Sequence, residues 1–221
     1  MHSEETETKK QNFVDKKEII EFIKNTVIMV LIALVAGGIL GYVYEITKEP
    51  IAKMAFEEKQ KANKKVFLSA DHFEDMPLVD ESLYATFKAA YPNADITSVI
   101  KALGSDGAEL GYVLEATSHK GYGGDIVFAV GITNEGMLNG ISIIDISETA
   151  GLGMRADEVL TPQFLSKEAT HFEVVKTGAI EPNQIDAISS ATITSKAVTD
   201  GVNAAVEYFE MFLTGGVGNA S

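Results

Sequence analysis

Residues 110–147, LGYVLEATSHKGYGGDIVFAVGITNEGMLNGISIIDIS, decide how the chain folds. Three stretches rich in Val, Ile and aromatic residues, LGYVLEAT, DIVFAVGIT and LNGISIIDIS, are parted by SHKGYGG and NEGM, and a fourth, DITSVIKAL, precedes them across GSDG. Alternating strands joined by glycine-bearing connections this short predict an antiparallel sheet, because a parallel return needs a crossover of about a dozen residues. Asp106–Gly107, Glu135–Gly136 and Asn139–Gly140 read as hairpin-turn pairs.

Working outward, DHFEDMPLVDES reads as loop, and SLYATFKAAYPNA as a short helix ended by Pro92 and Asn93. Beyond the sheet, TPQFLSKEA reads as helix, HFEVVKT as strand, and GAIEPNQIDAISSATIT as the approach to a terminal helix. There Val198, Val202, Ala205, Val206 and Phe209 form one apolar stripe able to cover a sheet face. The expected class is α+β, with an antiparallel sheet packed by helices over residues 66–221 and a frayed GGVGNAS end.

Residues 26–44, TVIMVLIALVAGGILGYVY, carry no charge over nineteen positions, enough at about 1.5 Å per residue to cross a bilayer core roughly 30 Å thick. This predicts one transmembrane helix, an uncleaved anchor after a tail at 1–25, with Tyr42 and Tyr44 at the interface. Lysines balance on its two sides. A short tail and a large following domain favour a cytoplasmic N-terminus and an extracytoplasmic domain in a bacterial or archaeal cell membrane. Ala33, Gly37 and Gly41 line one face, as helix partners would require. Residues 45–65 read as a juxtamembrane helix kinked at Pro50.

Of 32 Asp and Glu against 18 Lys and Arg, 22 and 7 lie in residues 66–221, a balance of −15 in the body of the protein. Such a surface repels phosphate backbones, which argues against nucleic-acid binding. With no cysteine, disulfides, thiolate metal sites, Cys-ligated iron–sulfur clusters and cysteine nucleophiles are excluded. His2, His72, His119 and His171 are scattered in no metal-binding spacing, so no metal site is expected. His119, beside GYGG, reads as a solvated loop histidine, with ligand contact as the sharper reading.

Chemistry concentrates at residues 188–198, ISSATITSKAV. Thr194 or Ser195 can cap the terminal helix, and one hydroxyl suffices. Ser189, Ser190 and Thr192 then stand before a helix N-terminus whose free amides favour an anion such as phosphate. Redundant capping is the blander alternative.

The run Asp186, Ser189, Ser190, Ala191, Thr192 resembles the D-x-x-S-G-A-T pattern by which a dedicated transferase attaches FMN to threonine in the FMN-binding domain family. Ser190 stands where glycine is usual, and a positive φ there would strain a serine. GYGGDIVFAVGIT and ISIIDISETAGLG are similar to two further signatures of that family, with Ile146 and Ala150 in place of the usual histidine and proline. From about residue 25 onward the chain looks like the G subunits of Rnf complexes, with the usually longer C subunits of sodium-translocating NADH:quinone oxidoreductases as the alternative.

The resemblance implies covalent FMN on Thr192, with Ser189, Ser190, Ala191 and Thr194 beside it. Gly151, Leu152, Gly153, Tyr122 and Gly123 would border the ring, and Glu148 and Thr149 would order the loop. Glycines there let backbone approach a flat ring. It further implies an electron-relay subunit, not catalytic alone, in an ion-translocating ferredoxin:NAD+ oxidoreductase. Its partners would be membrane, iron–sulfur and flavin subunits, with a flavin transferase for maturation. A membrane-tethered flavin sensor and a flavin-free spacer are the readings from other classes.

Overall fold

A computed structural model describes residues 16–214. The start of the expected N-terminal tail, residues 1–15, and the expected frayed end, residues 215–221, lie outside the described residues. The chain divides into two compact units, residues 1–55 and 56–221. Helix α1, Lys16–Val66, is continuous through Pro50 and joins in one element the spans that the sequence read as a transmembrane helix and a juxtamembrane helix. The missing proline N–H leaves the carbonyl four residues earlier without its bond, and the helix continues past that loss. Its apolar residues from Val27 to Tyr44 are exposed, and it is long and apolar enough to cross a membrane.

The second unit is built on a six-stranded antiparallel sheet whose spatial order follows the chain. Its strands are β1 His72–Met76, β2 Ala94–Leu103, β3 Glu109–Ser118, β4 Ile126–Thr133, β5 Met137–Ile146 and β6 Lys167–Glu168. Helix α2, Glu81–Ala90, joins β1 to β2, and a short α3, Ala156–Val159, follows β5. A parallel pair, β7 Glu173–Val175 and β8 Gln184–Asp186, leads into α4, Thr192–Phe212.

The stripe expected on the last helix is buried, Val198, Val202, Ala205, Val206 and Phe209 of α4 packing with Leu114, Phe128, Val130 and Ile132 of the sheet, and burial extends around the helix to Ala197, Asn203, Ala204, Tyr208 and Phe212. Burying each such large side chain contributes roughly 1.5–3 kcal/mol. The opposite face is also covered. Ala62, Val66 and Phe67 at the end of α1 pack with Ile100, Ala102, Val113 and Ala129. Exposed Lys59 reaches across to the buried Glu115 at 2.9 Å, and Thr97 donates a second bond to the same oxygen at 3.0 Å. Strands β3 and β4 are therefore buried on both faces, a layer more than the sequence predicted.

Four local expectations are corrected. Within DHFEDMPLVDES, read as loop, lies β1, an edge strand too exposed to show apolar alternation. TPQFLSKEA is no regular helix: a 3-10 turn over Thr161–Phe164 gives way to Ser166 at φ 55° and then β6. The approach to α4 contains β8, where only Ile185 is buried and three residues leave no readable period. Asn139–Gly140 is no turn but part of β5, where Gly131 faces Gly140 and Ile132 faces Leu138, so Asn139 is the extra residue of a β-bulge.

Candidate functional site

Ile126 of β4 faces Ile146 of β5, so the β3–β4 hairpin and the chain leaving β5 emerge at the same end of the sheet. The start of α4 joins them there. Together these three segments enclose an open cleft of about 540 Å³, within the usual range of ligand pockets, about 300–1,000 Å³. It is lined by Tyr122 of the hairpin, by Glu148, Thr149, Leu152 and Gly153 after β5, and by Ser190, Ala191, Thr192, Ile193 and Thr194 at the helix start.

Helix α4 begins three residues earlier than expected from Thr194 as its cap. Its N-cap is Ala191, and no side chain caps it. Neither Thr194 nor Ser195 serves that role. Ser195 instead stitches the preceding loop shut, its Oγ accepting from the Ile188 amide at 2.9 Å and donating to the Ala191 carbonyl at 3.0 Å. Thr192 thus becomes the first helical residue, and the first-turn amides are left for an acceptor from outside the chain. Unpaired amides on the positive end of a 21-residue helix suit an anionic group such as phosphate.

Ser190 adopts φ 63°, the left-handed conformation in which glycine is at ease and serine is strained. Ser190→Gly is expected to raise stability by on the order of 0.5 kcal/mol, the relief of strain being partly offset by the greater freedom of the unfolded chain. Chemical denaturation compares the two.

Glu148 locks two walls together. Its Oε1 accepts from the Tyr122 amide at 2.7 Å and more weakly from the Gly123 amide at 3.4 Å. Two glycines make that approach possible: a Cβ on Gly123 would lie 1.9 Å from the Ser147 carbonyl oxygen, and one on Gly153 would lie 2.6 Å from Thr194 Oγ1 and 2.8 Å from Glu148 Cβ. These glycines permit loop to meet loop, whereas Gly151, at φ 77° with open space where a Cβ would stand, turns the chain. Glu148→Ala should cost about 0.5–1.5 kcal/mol by removing the acceptor that ties the exposed hairpin amides to the loop. Hydrogen exchange at Tyr122 and Gly123 should rise while exchange in β3 and β4 stays slow.

Of the residues singled out in the sequence, Ser189, Gly123 and Gly151 do not line the cleft; Ser189 is exposed beside it. Asp186 lies outside the lining as well, its carboxylate accepting from the Ala179 amide at 3.0 Å. His119 is also outside the cleft lining, and although exposed it is no free loop side chain, its ring being held between two aspartates. Ile193 was missed. It is 54% exposed in the first turn of α4, off the buried stripe, and that mismatch was the available signal. With Tyr122 and Leu152 it gives the cleft an apolar rim that a planar ring could cover.

The FMN-binding domain family profile matches residues 121–207, the span that contains all three walls of the cleft. The chain is 32% identical over 206 residues to the G subunit of the Na+-translocating ferredoxin:NAD+ oxidoreductase complex of Acetobacterium woodii, covering 92% of this chain and 98% of that one. It is 31% identical over 201 residues to the G subunit of the ion-translocating oxidoreductase complex of Methanosarcina acetivorans, covering 88% and 96%. Among solved structures, the C subunit of the Na+-translocating NADH-quinone reductase of Parabacteroides distasonis shares the fold, with TM-score 0.51 and 17% identity over 74% of this chain and 95% of that one. The class is that of proteins with an FMN-binding domain. Within it, this chain belongs to the family of G subunits of ion-translocating oxidoreductase complexes, whose members are redox subunits.

Proposed function

We propose that the protein is the membrane-anchored electron relay of an ion-translocating ferredoxin:NAD+ oxidoreductase, carrying FMN as a phosphoester on Thr192. The observation that carries this reading is the position of Thr192, first residue of an uncapped helix and part of the cleft wall. There the threonine oxygen can join a phosphate while the free amides of the same helical turn neutralise it. Bound FMN would supply reversible uptake and release of electrons. Tyr122, Leu152 and Ile193 would border its ring, and Glu148 keeps the two loops in register. The cleft stays open to solvent, which leaves a ring edge accessible to redox partners.

The exposed apolar stretch of α1 over residues 26–44 supports membrane anchoring, with the C-terminal unit extracytoplasmic and other membrane, iron–sulfur and flavin subunits as neighbours. That stretch carries no Asp, Glu, Lys, Arg or His from Val27 to Val43, so ion passage belongs to other chains. A flavin transferase completes maturation. Protein produced together with its transferase, denatured and separated on a gel, is expected to fluoresce under ultraviolet light, since only a covalent flavin survives that treatment. A dark band with no added mass on the intact chain would end the proposal.

A further inference from the structure

We propose that His119 is a positioning residue, a doubly bonded imidazolium that pins the base of the β3–β4 hairpin and thereby sets the Tyr122 wall of the cleft in a pH-dependent way. Its Nε2 lies 2.8 Å from Asp95 Oδ2 and its Nδ1 2.9 Å from Asp125 Oδ1. An ionised carboxylate only accepts, and a neutral imidazole carries one N–H. The Nε2 contact is a hydrogen bond and the Nδ1 contact an ion pair, so both are attractive at once only when the ring carries two protons. On deprotonation one ring nitrogen turns a lone pair toward a carboxylate oxygen, and that contact is lost.

The two aspartates lie on opposite sides of the hairpin base. Asp95 is on β2, fixed by an ion pair with Lys88 of α2 and a bond from the Tyr84 hydroxyl at 3.3 Å. Asp125 closes the hairpin after Gly121, Tyr122, Gly123 and Gly124. The His119 amide also donates to the Asn93 carbonyl at 2.9 Å, which keeps the ring beside β2. Glycine at three of four loop positions leaves the hairpin few holds of its own. The others are the Glu148 bonds at its tip and the Lys120–Asp200 pair to α4 at 3.4 Å. Losing the Asp125 ion pair, the contact without hydrogen-bond geometry, releases the end of the loop that feeds β4.

The bonds to Asp95 and then Asp125 raise the imidazole pKa above its ordinary 6.5 against a smaller opposing effect of burial. Burial works to raise Asp95, but Lys88 and His119 outweigh it and hold that carboxyl below its ordinary 3.8. The stabilisation from His119 is thus complete below pH 6.5 and fades as pH climbs through the raised value. The share from Asp95 is present above pH 3.8 and fades as pH falls through the lowered one. In between, the pin is closed; above the raised His119 pKa it opens.

The consequence for a bound ring rests on the flavin reading above, but the pin does not, and the test separates them. The full chain in detergent micelles, without flavin, is compared with His119→Gln and with Asp125→Asn, whose amide can satisfy a neutral imidazole. Hydrogen exchange at Tyr122 and Gly123, corrected for the intrinsic pH effect, is followed from about pH 6 to 9 alongside the NMR titration of His119. Protection in the unaltered chain is expected to fall about tenfold, the worth of one charge-assisted bond, with its midpoint at the His119 pKa. It should stay flat in both variants. A His119 pKa at or below that of a free histidine, or an equal fall in protection in His119→Gln, would overturn the pin while leaving flavin attachment untouched. Conversely, a chain that never acquires flavin can still show the pH-dependent loop.

Discussion

Thr192→Ala is expected to give a folded protein that shows no flavin fluorescence on a denaturing gel and no longer relays electrons in the assembled complex. The substitution removes the only side-chain oxygen at the first position of α4, where the helix lacks a cap. Thr192 is half-buried and makes no hydrogen bond on which the loop depends; that work falls to Ser195. The change in stability should therefore stay within about 0.5 kcal/mol, as for surface positions generally. Loss of covalent flavin without loss of melting temperature is the signature. Thr192→Ser, which restores a hydroxyl at the same place, should recover part of the fluorescence. Full labelling of the alanine variant would move the ester to a neighbour, with Ser190 and Thr194 the nearest hydroxyls on the cleft wall.

Gly153→Val is expected to be the most damaging single change at the site. Gly153 is buried where the loop after β5 crosses the first turn of α4, and even a Cβ would overlap Thr194 Oγ1 and both Glu148 Cβ and Oε2, at 2.6, 2.8 and 2.9 Å. Relief requires Glu148 to move, which would break its bonds to the hairpin amides and spread the cleft. Overpacking of this kind costs about 1–3 kcal/mol, or a fall of about 2–12 °C in melting temperature for a unit of this size. Thermal unfolding and the yield of flavin-labelled chain measure the two effects. Gly151→Ala is the comparison: its Cβ meets no protein atom, so only the strain of φ 77° remains, about 1–2 kcal/mol. If Gly153→Val melts no lower than Gly151→Ala, the close approach of the two loops does not matter to the fold.

Much of this architecture was legible in the sequence. The β2 to β5 meander follows from alternation and glycine-bearing turns, because side-chain period and loop length together leave no room for a crossover. The stripe on α4 was readable because five apolar residues recur at helical spacing, while the burial of Asn203, Ala204 and Tyr208 beyond it was not. The family resemblance drew attention to Thr192, Glu148, Tyr122 and the ETAGLG loop, although nothing local could say that they meet. What went unread was short, exposed or dependent on a distant partner. β1 and β6 are edge strands whose side chains mostly face water, β8 spans three residues, and the Asn139 bulge is visible only against β4. The pairing of His119 with Asp95 and Asp125 depends on how β2 and the β3–β4 hairpin are set side by side.

The sequence by itself determined the α+β class, the long apolar helix, the acidic charge of the body and the hydroxyl-rich entrance to the last helix. Each of these is written in residues close enough in the chain to show a period, a run or a motif. Only the tertiary structure decided that α4 starts at an uncapped Thr192, that Glu148 ties the hairpin to the ETAGLG loop, and that Gly153 is the point where two walls touch. Those facts rest on contacts between segments dozens of residues apart, and such contacts are fixed by packing and register, which no local pattern encodes.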